Sequence, residues 1–263
     1  MKKASFYVAL VVAAAVLVFG SALFLGMPAA QAQASGAQDN NIRAEVTNQL
    51  KGSNFKSVQV SVKNGVLDLE GSVKDYATKE EADKRAHRAK NVVAVRNEIK
   101  IEGAGEISDR QLQNNLVKKL QYDRVGYGNA FNAISVNVQN GVVTLGGHAL
   151  GPVAADSAVA LASTTRGVQD VINNIQVDPL SPMDNRIRIA VYRAVYGFPT
   201  LNKYAIDPAQ PIRITVQNGH VLLNGVVLNE ADKNAAGIRA NSVSGVFSVT
   251  NDLQVANKPS EKK

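Results

Sequence analysis

The stretch KNGVLDLEGSV at residues 63–73 decides the fold, because close copies of it return twice in the same chain. The copies are QNGVVTLGGHA at residues 139–149 and QNGHVLLNGVV at residues 217–227. They begin 76 and then 78 residues further along a chain of 263 residues. A period of this length indicates three small modules in tandem rather than one large domain.

Each copy predicts a tight β-hairpin with an Asn-Gly turn. Apolar residues alternate with polar ones on both sides of the turn, which places one face of each strand in a core and the other in water. Asn-Gly supplies the two positive φ angles of a type I′ turn. A glycine late in the second strand predicts a bulge or a close backbone approach. These turn residues are Asn64, Gly65 and Gly71, then Asn140, Gly141 and Gly147, then Asn218, Gly219 and Gly225.

A helix is predicted on each side of every hairpin. Asp39, Asp109 and Asp184 are predicted N-caps of the first helix, since each stands three residues before an apolar stripe with i, i+4, i+8 spacing. The second helix carries two alanines four residues apart, which allow helix and sheet to approach closely. The alanine pairs are Ala82/Ala86, Ala158/Ala162 and Ala236/Ala240.

A third strand is predicted to close each module, at residues 91–101, 167–177 and 245–255. The element order is then helix, strand, strand, helix, strand. We therefore predict an α+β fold with three small αββαβ sandwich modules in tandem, each a three-stranded sheet with two helices on one face. Modules one, two and three are predicted to span residues 36–104, 105–179 and 181–257, and residues 258–263 are predicted to be a disordered tail.

Residues 1–34 predict a secretory signal peptide. Two lysines precede an uncharged apolar run from Phe6 to Leu25, and small-residue cleavage patterns end at Ala32 and Ala34. An uncleaved anchor in the inner membrane is the alternative, because about 20 apolar residues can span a bilayer. Both interpretations place the three modules outside the cytoplasm, in a periplasmic or secreted protein.

The repeated phrase, the alanine-bearing helix and the ending G-V-x-x-V-x-N-x-I/L-x-V resemble the BON domain, named for bacterial osmotically induced and nodulation proteins. The resemblance covers nearly all of the chain after the signal segment. Module one departs from it at Asn91, where the others have Gly167 and Gly245, but asparagine tolerates the same left-handed conformation. The resemblance implies an envelope-associated protein that binds phospholipid surfaces or acts as an interaction module, in osmotic or envelope stress. It implies no catalytic residue.

No pattern in the sequence predicts catalysis, a cofactor or a metal site. The chain has no cysteine, and His87, His148 and His220 fall at three different places in the repeat. The spacings of a serine-nucleophile turn and of a phosphate-binding loop are absent. The net charge is +7, but no basic stripe interleaves with stacking aromatic residues. We therefore predict a non-enzymatic protein with no cofactor and no nucleic-acid partner.

The first helix of module three carries the most informative predicted surface. Beside its apolar stripe it has basic, aromatic and apolar residues, a combination that suits the headgroup level of a membrane. The candidate lipid-surface residues are Arg186, Arg188, Ile189, Tyr192, Arg193 and Tyr196. The structural alternative is that the tyrosines pack under the insert that contains Phe198, Pro199 and Tyr204, or against a neighbouring module.

Two other surfaces bear on the partner. The charged second helix of module one, from Lys79 to Lys90, is a candidate contact surface for a second function, a periplasmic protein–protein interaction module of an envelope assembly. An aromatic cluster in module two, formed by Tyr122, Tyr127 and Phe131, is predicted to cover its own sheet edge. The predicted partners are thus a phospholipid membrane surface or envelope proteins, and the oligomeric state stays open.

Overall fold

The computed structural model describes residues 29–122, 128–206 and 212–256. Over these residues the chain folds into three α+β modules, each with two main helices and a small mixed sheet, which confirms the predicted fold class. No helix in the described part of the chain is both long and apolar enough to cross a membrane.

Several sequence-based predictions fall outside the described residues. They concern the apolar run from Phe6 to Leu25, Tyr127 and the tail at 258–263. The predicted cleavage patterns at Ala32 and Ala34 lie within the first turns of the first helix.

Module one has the predicted element order, with a short 3-10 turn before its first strand. Its elements are α1 (Ala29–Gln49), β1 (Val58–Lys63), β2 (Val66–Val73), α2 (Tyr76–Ala86), β3 (Ala94–Asn97) and β4 (Lys100–Ile101).

Module two repeats this order and adds a short helix in its insert. Its elements are α3 (Asp109–Tyr122), α4 (Gly128–Phe131), β5 (Ala133–Gln139), β6 (Val142–Ala149), α5 (Pro152–Ser163), β7 (Asp170–Asn173) and β8 (Gln176–Val177).

Module three also has a short helix in its insert, and its third strand is continuous. Its elements are α6 (Pro182–Tyr196), α7 (Lys203–Ile206), β9 (Arg213–Gln217), β10 (His220–Val227), α8 (Glu230–Asn241) and β11 (Ser248–Val255).

The second hairpin strand is the centre of every sheet. It pairs antiparallel with the first strand and parallel with the third. Both central turn positions are left-handed, with φ of 53° at Asn64 and 75° at Gly65. Asn91, where module one departs from glycine, has φ of 64° and so adopts the left-handed conformation. The turns therefore have the backbone geometry that a two-residue hairpin requires.

In modules one and three, one asparagine of the third strand ties this strand to the second helix. In module one the Asn97 side chain accepts from the Ile99 amide at 3.3 Å and donates to the Lys79 carbonyl at 3.3 Å. Asn251 makes the same pair of contacts in module three. The predicted third strand consists of two short pieces in modules one and two, and it is continuous in module three.

The cores lie between the sheets and the helices. The predicted apolar stripes are buried almost throughout, and every alanine of the three pairs is at most 1 % exposed. The alanines let the second helix pack directly on the central strand, because a larger side chain would hold the two backbones apart. Modules one and two also share a contact, as Tyr76 packs against both of their cores.

The three aspartates before the apolar stripes do not cap helices, which corrects the sequence-based prediction. Asp39 lies inside α1, Asp109 is the first residue of α3, and Ser181 caps α6. Each aspartate instead accepts the two backbone N–H groups of the Asn-Gly turn in its own module, at 2.7–3.0 Å. The hairpin leaves these two donors unpaired, and one carboxylate satisfies both of them.

Candidate functional site on helix α6

Local sequence fixes the start and the end of α6. The Ser181 hydroxyl accepts from the Asp184 amide at 3.3 Å, and Pro182 occupies the first turn, where its missing N–H costs nothing. The helix ends at Gly197, whose amide donates to the Arg193 carbonyl at 3.0 Å. Arg193 lies in the last turn, where a cation interacts favourably with the helix dipole.

Arg188 points into the protein and is only 1 % exposed. Its guanidinium donates to the Val216 carbonyl at 3.0 Å and to Asn185 Oδ1 at 3.5 Å. Burial, the largest influence, lowers the pKa of Arg188, while the charges of Asp178 and Asp184 act to raise it. Arg188 therefore cannot reach a membrane surface, and its assignment to the lipid-facing set is corrected.

Tyr196 is also buried, at 7 % exposure. Its hydroxyl donates to the Ile212 carbonyl at 2.6 Å, and burial raises the pKa of this phenol well above its usual range. Tyr192 is half-buried, and its ring centroid lies 4.7 Å from that of Tyr196 and 5.7 Å from that of Phe131. The structural alternative thus describes these tyrosines, and Tyr196 leaves the lipid-facing set.

Three of the predicted residues form one exposed stripe together with Met183, and we name this stripe the outer face of α6. It consists of Met183, Arg186, Ile189 and Arg193, at spacings of three, three and four residues. Met183 is 58 % exposed and Ile189 is 37 % exposed, and both arginines are exposed. The Arg186 guanidinium lies 3.8 Å from the Met183 sulfur. Basic and apolar groups thus alternate along one accessible side of the helix.

The insert of module two packs on module three instead of covering its own sheet edge, which corrects the prediction for its aromatic cluster. Phe131 is 6 % exposed and belongs to the core of module three. The Asn132 carbonyl accepts from the Arg213 guanidinium at 3.0 Å, and the Asn132 side chain accepts from the Leu150 amide at 2.7 Å. Tyr122, by contrast, is 65 % exposed. Modules two and three are therefore joined through this insert.

Sequence reasoning missed several residues at this junction. Asn185 lines the space between α6 and module two, and Leu180 is 75 % exposed in the connection that precedes α6. The sequence could have pointed to Leu180, because it is a large apolar residue in the short connection between β8 and α6. No local pattern could have placed Asn185 or Phe131 at this junction, because their roles depend on contacts between modules.

The insert of module three stabilises the start of α8 through a buried carboxylate. Asp232 accepts from the Tyr204 hydroxyl at 2.6 Å and lies 2.7 Å from the Lys203 amino group. Burial acts to raise the pKa of the Asp232 carboxyl, but the hydrogen bonds from Lys203 and Tyr204 outweigh it and hold the pKa below its ordinary value of 3.8.

This arrangement predicts a pH-dependent contribution to stability. Because the folded-state pKa of Asp232 is depressed, its contribution is present above pH 3.8 and is lost as the pH falls through the folded-state value. We expect Asp232→Asn to lower the free energy of unfolding by about 1–3 kcal/mol at pH 7. In urea titrations the difference from the wild-type protein should shrink below pH 3.8. A difference that stayed constant down to pH 2 would contradict this role.

The charged side of α2 in module one is engaged within its own module. Arg85 pairs with Glu81 at 2.7 Å, donates to the Gln49 carbonyl at 2.8 Å and stacks 5.0 Å from the Phe55 ring centroid. Asp83 accepts from Asn97 at 3.2 Å. These contacts leave α2 with fewer groups for a partner than its sequence suggested.

The described residues contain no group of three or more His, Asp and Glu side chains that could hold a metal ion. The histidines have separate local contacts. His87 lies beside Asp83 at 3.2 Å, His148 beside Asp178 at 2.9 Å, and His220 beside Ser248 at 2.7 Å.

Comparison with known protein families identifies the family of this chain. The BON domain family matches residues 38–103, 108–179 and 200–257, so the chain belongs to the BON domain family and carries three copies of the domain. BON domains are known as non-catalytic modules that bind membranes or proteins. The third match begins after α6, so the family match does not cover the helix that carries the outer face.

Comparison with solved structures finds CdsD, described as the structural protein of the type III secretion system of Chlamydia trachomatis. Its C-terminal domain is 16 % identical, with 82 % of this chain and 96 % of that chain covered and a TM-score of 0.24. A second CdsD structure is 17 % identical, with 83 % and 92 % covered and a TM-score of 0.23. TM-scores this low support no functional argument. The comparison with curated proteins finds no match.

Proposed function

We propose that this BON protein is exported and binds phospholipid or cell-envelope surfaces peripherally, without catalysis. The observation that carries the proposal is the outer face of α6, where two arginines and two apolar side chains are accessible together. The apolar run and cleavage patterns of residues 1–34 support export, to the periplasm or beyond. A role in osmotic or envelope stress goes with this proposal.

The binding mechanism is electrostatic attraction followed by shallow insertion. An arginine near an anionic membrane surface contributes about 1 kcal/mol, so Arg186 and Arg193 together contribute about 2 kcal/mol. Ile189 lies between the two arginines and Met183 lies one turn before Arg186, and both can enter the boundary between headgroups and acyl chains. Such a site is weak alone, and linkage to two further modules raises its effective concentration at a surface.

We propose module boundaries at residues 36–104, 105–179 and 181–257, so that α6 belongs to module three. The core supports this assignment, since Ile187, Val191 and Val195 of α6 are buried together with the strands of module three. The outer face is therefore held rigidly by one module.

The proposal is tested by co-flotation of the chain from Ser35 onward with liposomes. We expect binding to phosphatidylglycerol-rich liposomes that weakens as salt is raised, and little binding to phosphatidylcholine liposomes. Equal recovery with both liposomes, or no binding to either at low salt, would reject the lipid-surface function.

A second candidate function, protein–protein interaction, is favoured by a different observation. Modules two and three form a cleft beside α6 that is lined by apolar side chains and by Arg188, whose Nε has no hydrogen-bond partner within the described residues.

A further inference from the structure

Two neighbouring cavities lie between α6 and module two, and we name them together the junction cleft. The larger has a volume of about 430 Å³ and is lined by Phe131, Asn185, Ile189, Tyr192 and Arg193. The smaller has a volume of about 260 Å³ and is lined by Leu150, Leu180, Ser181, Pro182, Asn185 and Arg188. Asn185 lines both, so the cavities meet at its side chain. Clefts of this size between domains are preferred positions for ligands.

Arg188 Nε and Asp178 Oδ2 are buried polar atoms without a hydrogen-bond partner within the described residues, and the charge of Asp178 acts on Arg188. Arg188 is 1 % exposed and lines the smaller cavity, and Asp178 is 4 % exposed. A buried donor or acceptor that lacks a partner costs free energy, so natural proteins contain few of them. The pair presents one donor and one acceptor, and its two charges are opposite.

This pair favours a neutral group over an anion. A phosphate or carboxylate could accept from Arg188 Nε, but its negative charge would meet the Asp178 carboxylate. The carbonyl of a peptide group is a neutral acceptor, which matches the unpartnered Arg188 Nε donor beside the Asp178 charge. Asn185 supports the same chemistry, because its side-chain amide also has one donor and one acceptor group.

The lining of the larger cavity indicates which side chains the ligand should carry. Phe131, Ile189 and Tyr192 form an apolar wall that can receive one apolar or aromatic side chain. Arg193 is exposed where this cavity opens, so it can pair with an acidic side chain of the same ligand. The expected ligand therefore has an apolar residue next to an acidic one.

We propose that the junction cleft binds an extended peptide segment of another protein, with a backbone carbonyl at Arg188, an apolar side chain in the larger cavity and an acidic side chain at Arg193. This site goes beyond the proposed surface binding and does not depend on it. Both uses share Ile189 and Arg193, so a membrane and a peptide would compete for this side of α6.

An array of capped octapeptides tests the proposal with the whole three-module protein. All peptides share a Gly-Ser sequence, called the frame, in which only the two central residues differ. Binding is measured by fluorescence anisotropy. We expect peptides with Leu or Phe followed by Glu or Asp to bind about tenfold more tightly than the frame alone or the same peptides with Lys. If no peptide in the array binds more tightly than the frame, the proposal is overturned.

Matched variants separate the cleft from general surface charge. Arg193→Glu should weaken the best peptide about tenfold, whereas Arg186→Glu, the same charge change outside the cleft, should alter binding by less than about twofold. Equal losses in both variants would overturn the proposal. Liposome binding that persists without any peptide binding would overturn it too, while leaving the lipid-surface function intact.

A measurement without substitution reports on the buried pair. In nuclear magnetic resonance spectra of the wild-type protein, the Arg188 Nε–H signal should shift and become more protected from exchange when the best octapeptide is added. An unchanged signal would show that a resident water satisfies the pair, and it would overturn the proposed contact.

Discussion

Replacement of Asp184 by alanine is expected to lower the free energy of unfolding of module three by about 3–4 kcal/mol. Asp184 is 2 % exposed, and its carboxylate accepts from the Asn218 amide at 3.0 Å and from the Gly219 amide at 2.8 Å. Hydrogen bonds to a charged group contribute about 1.5–3 kcal/mol each, and the buried Gly219 amide would be left without a partner. The loss should therefore concentrate at the β9–β10 hairpin.

The matched control is Asp39→Ala in module one. Asp39 makes the same two contacts, at 2.7 and 2.8 Å, but it is half-exposed and water can replace it. We expect a loss of about 1–2 kcal/mol there. Hydrogen exchange read by mass spectrometry reports each hairpin separately. Equal losses at both sites, or less than about 1 kcal/mol at Asp184, would contradict the turn-clamping role.

Gly147→Ala is expected to destabilise module two by about 3–5 kcal/mol. Gly147 has φ of 84°, a left-handed conformation that costs an alanine free energy. An added Cβ would also lie 2.0 Å from the Ala133 carbonyl oxygen, a backbone atom of the paired strand β5. The strands must separate to accept it, because no side-chain rotation can relieve a clash with backbone.

The neighbouring residue, Gly146, provides the matched control for Gly147→Ala. Gly146 does not have a positive φ, and a Cβ there would approach only the Ser135 hydroxyl, at 3.1 Å. A side-chain hydroxyl can rotate away, so we expect Gly146→Ala to cost less than about 1 kcal/mol. Urea unfolding of both variants makes the comparison. If the two alanines had similar effects, the close approach at Gly147 would not be what requires glycine.

Local patterns predicted the fold well because each module is built from short-range signals. Alternating apolar residues, Asn-Gly turns and alanine pairs all act within one element or between neighbours. The aspartates show the limit of this reasoning. Their position before an apolar stripe resembles a cap, but their carboxylates contact turns 25–35 residues further along the chain. Sequence spacing does not report such a contact.

The candidate site was predicted in part, and the errors at Arg188 and Tyr196 have one cause. Arg188 lies directly after Ile187 and three residues before Val191, so it falls within the buried side of a wide apolar stripe. Tyr196 lies directly after the buried Val195, so it too falls within the buried side of the helix. The i, i+4, i+8 spacing predicts a buried side only one residue wide, which places both residues on the surface. Arg186, Ile189 and Arg193 lie on the opposite side and are exposed. Phe131 could not be placed, since its contacts belong to another module.

The most direct test of the central claim compares two charge reversals in binding to phosphatidylglycerol-rich liposomes. Arg193 and Lys118 occupy corresponding positions on α6 and α3, and both are exposed. Arg193→Glu should weaken liposome binding by about tenfold or more, while Lys118→Glu, which has the same charge at the same place in the repeat, should have a much smaller effect. This result would assign surface binding to the outer face of α6. Equal weakening by both variants would show that overall charge, and not this face, governs binding, and it would contradict the account.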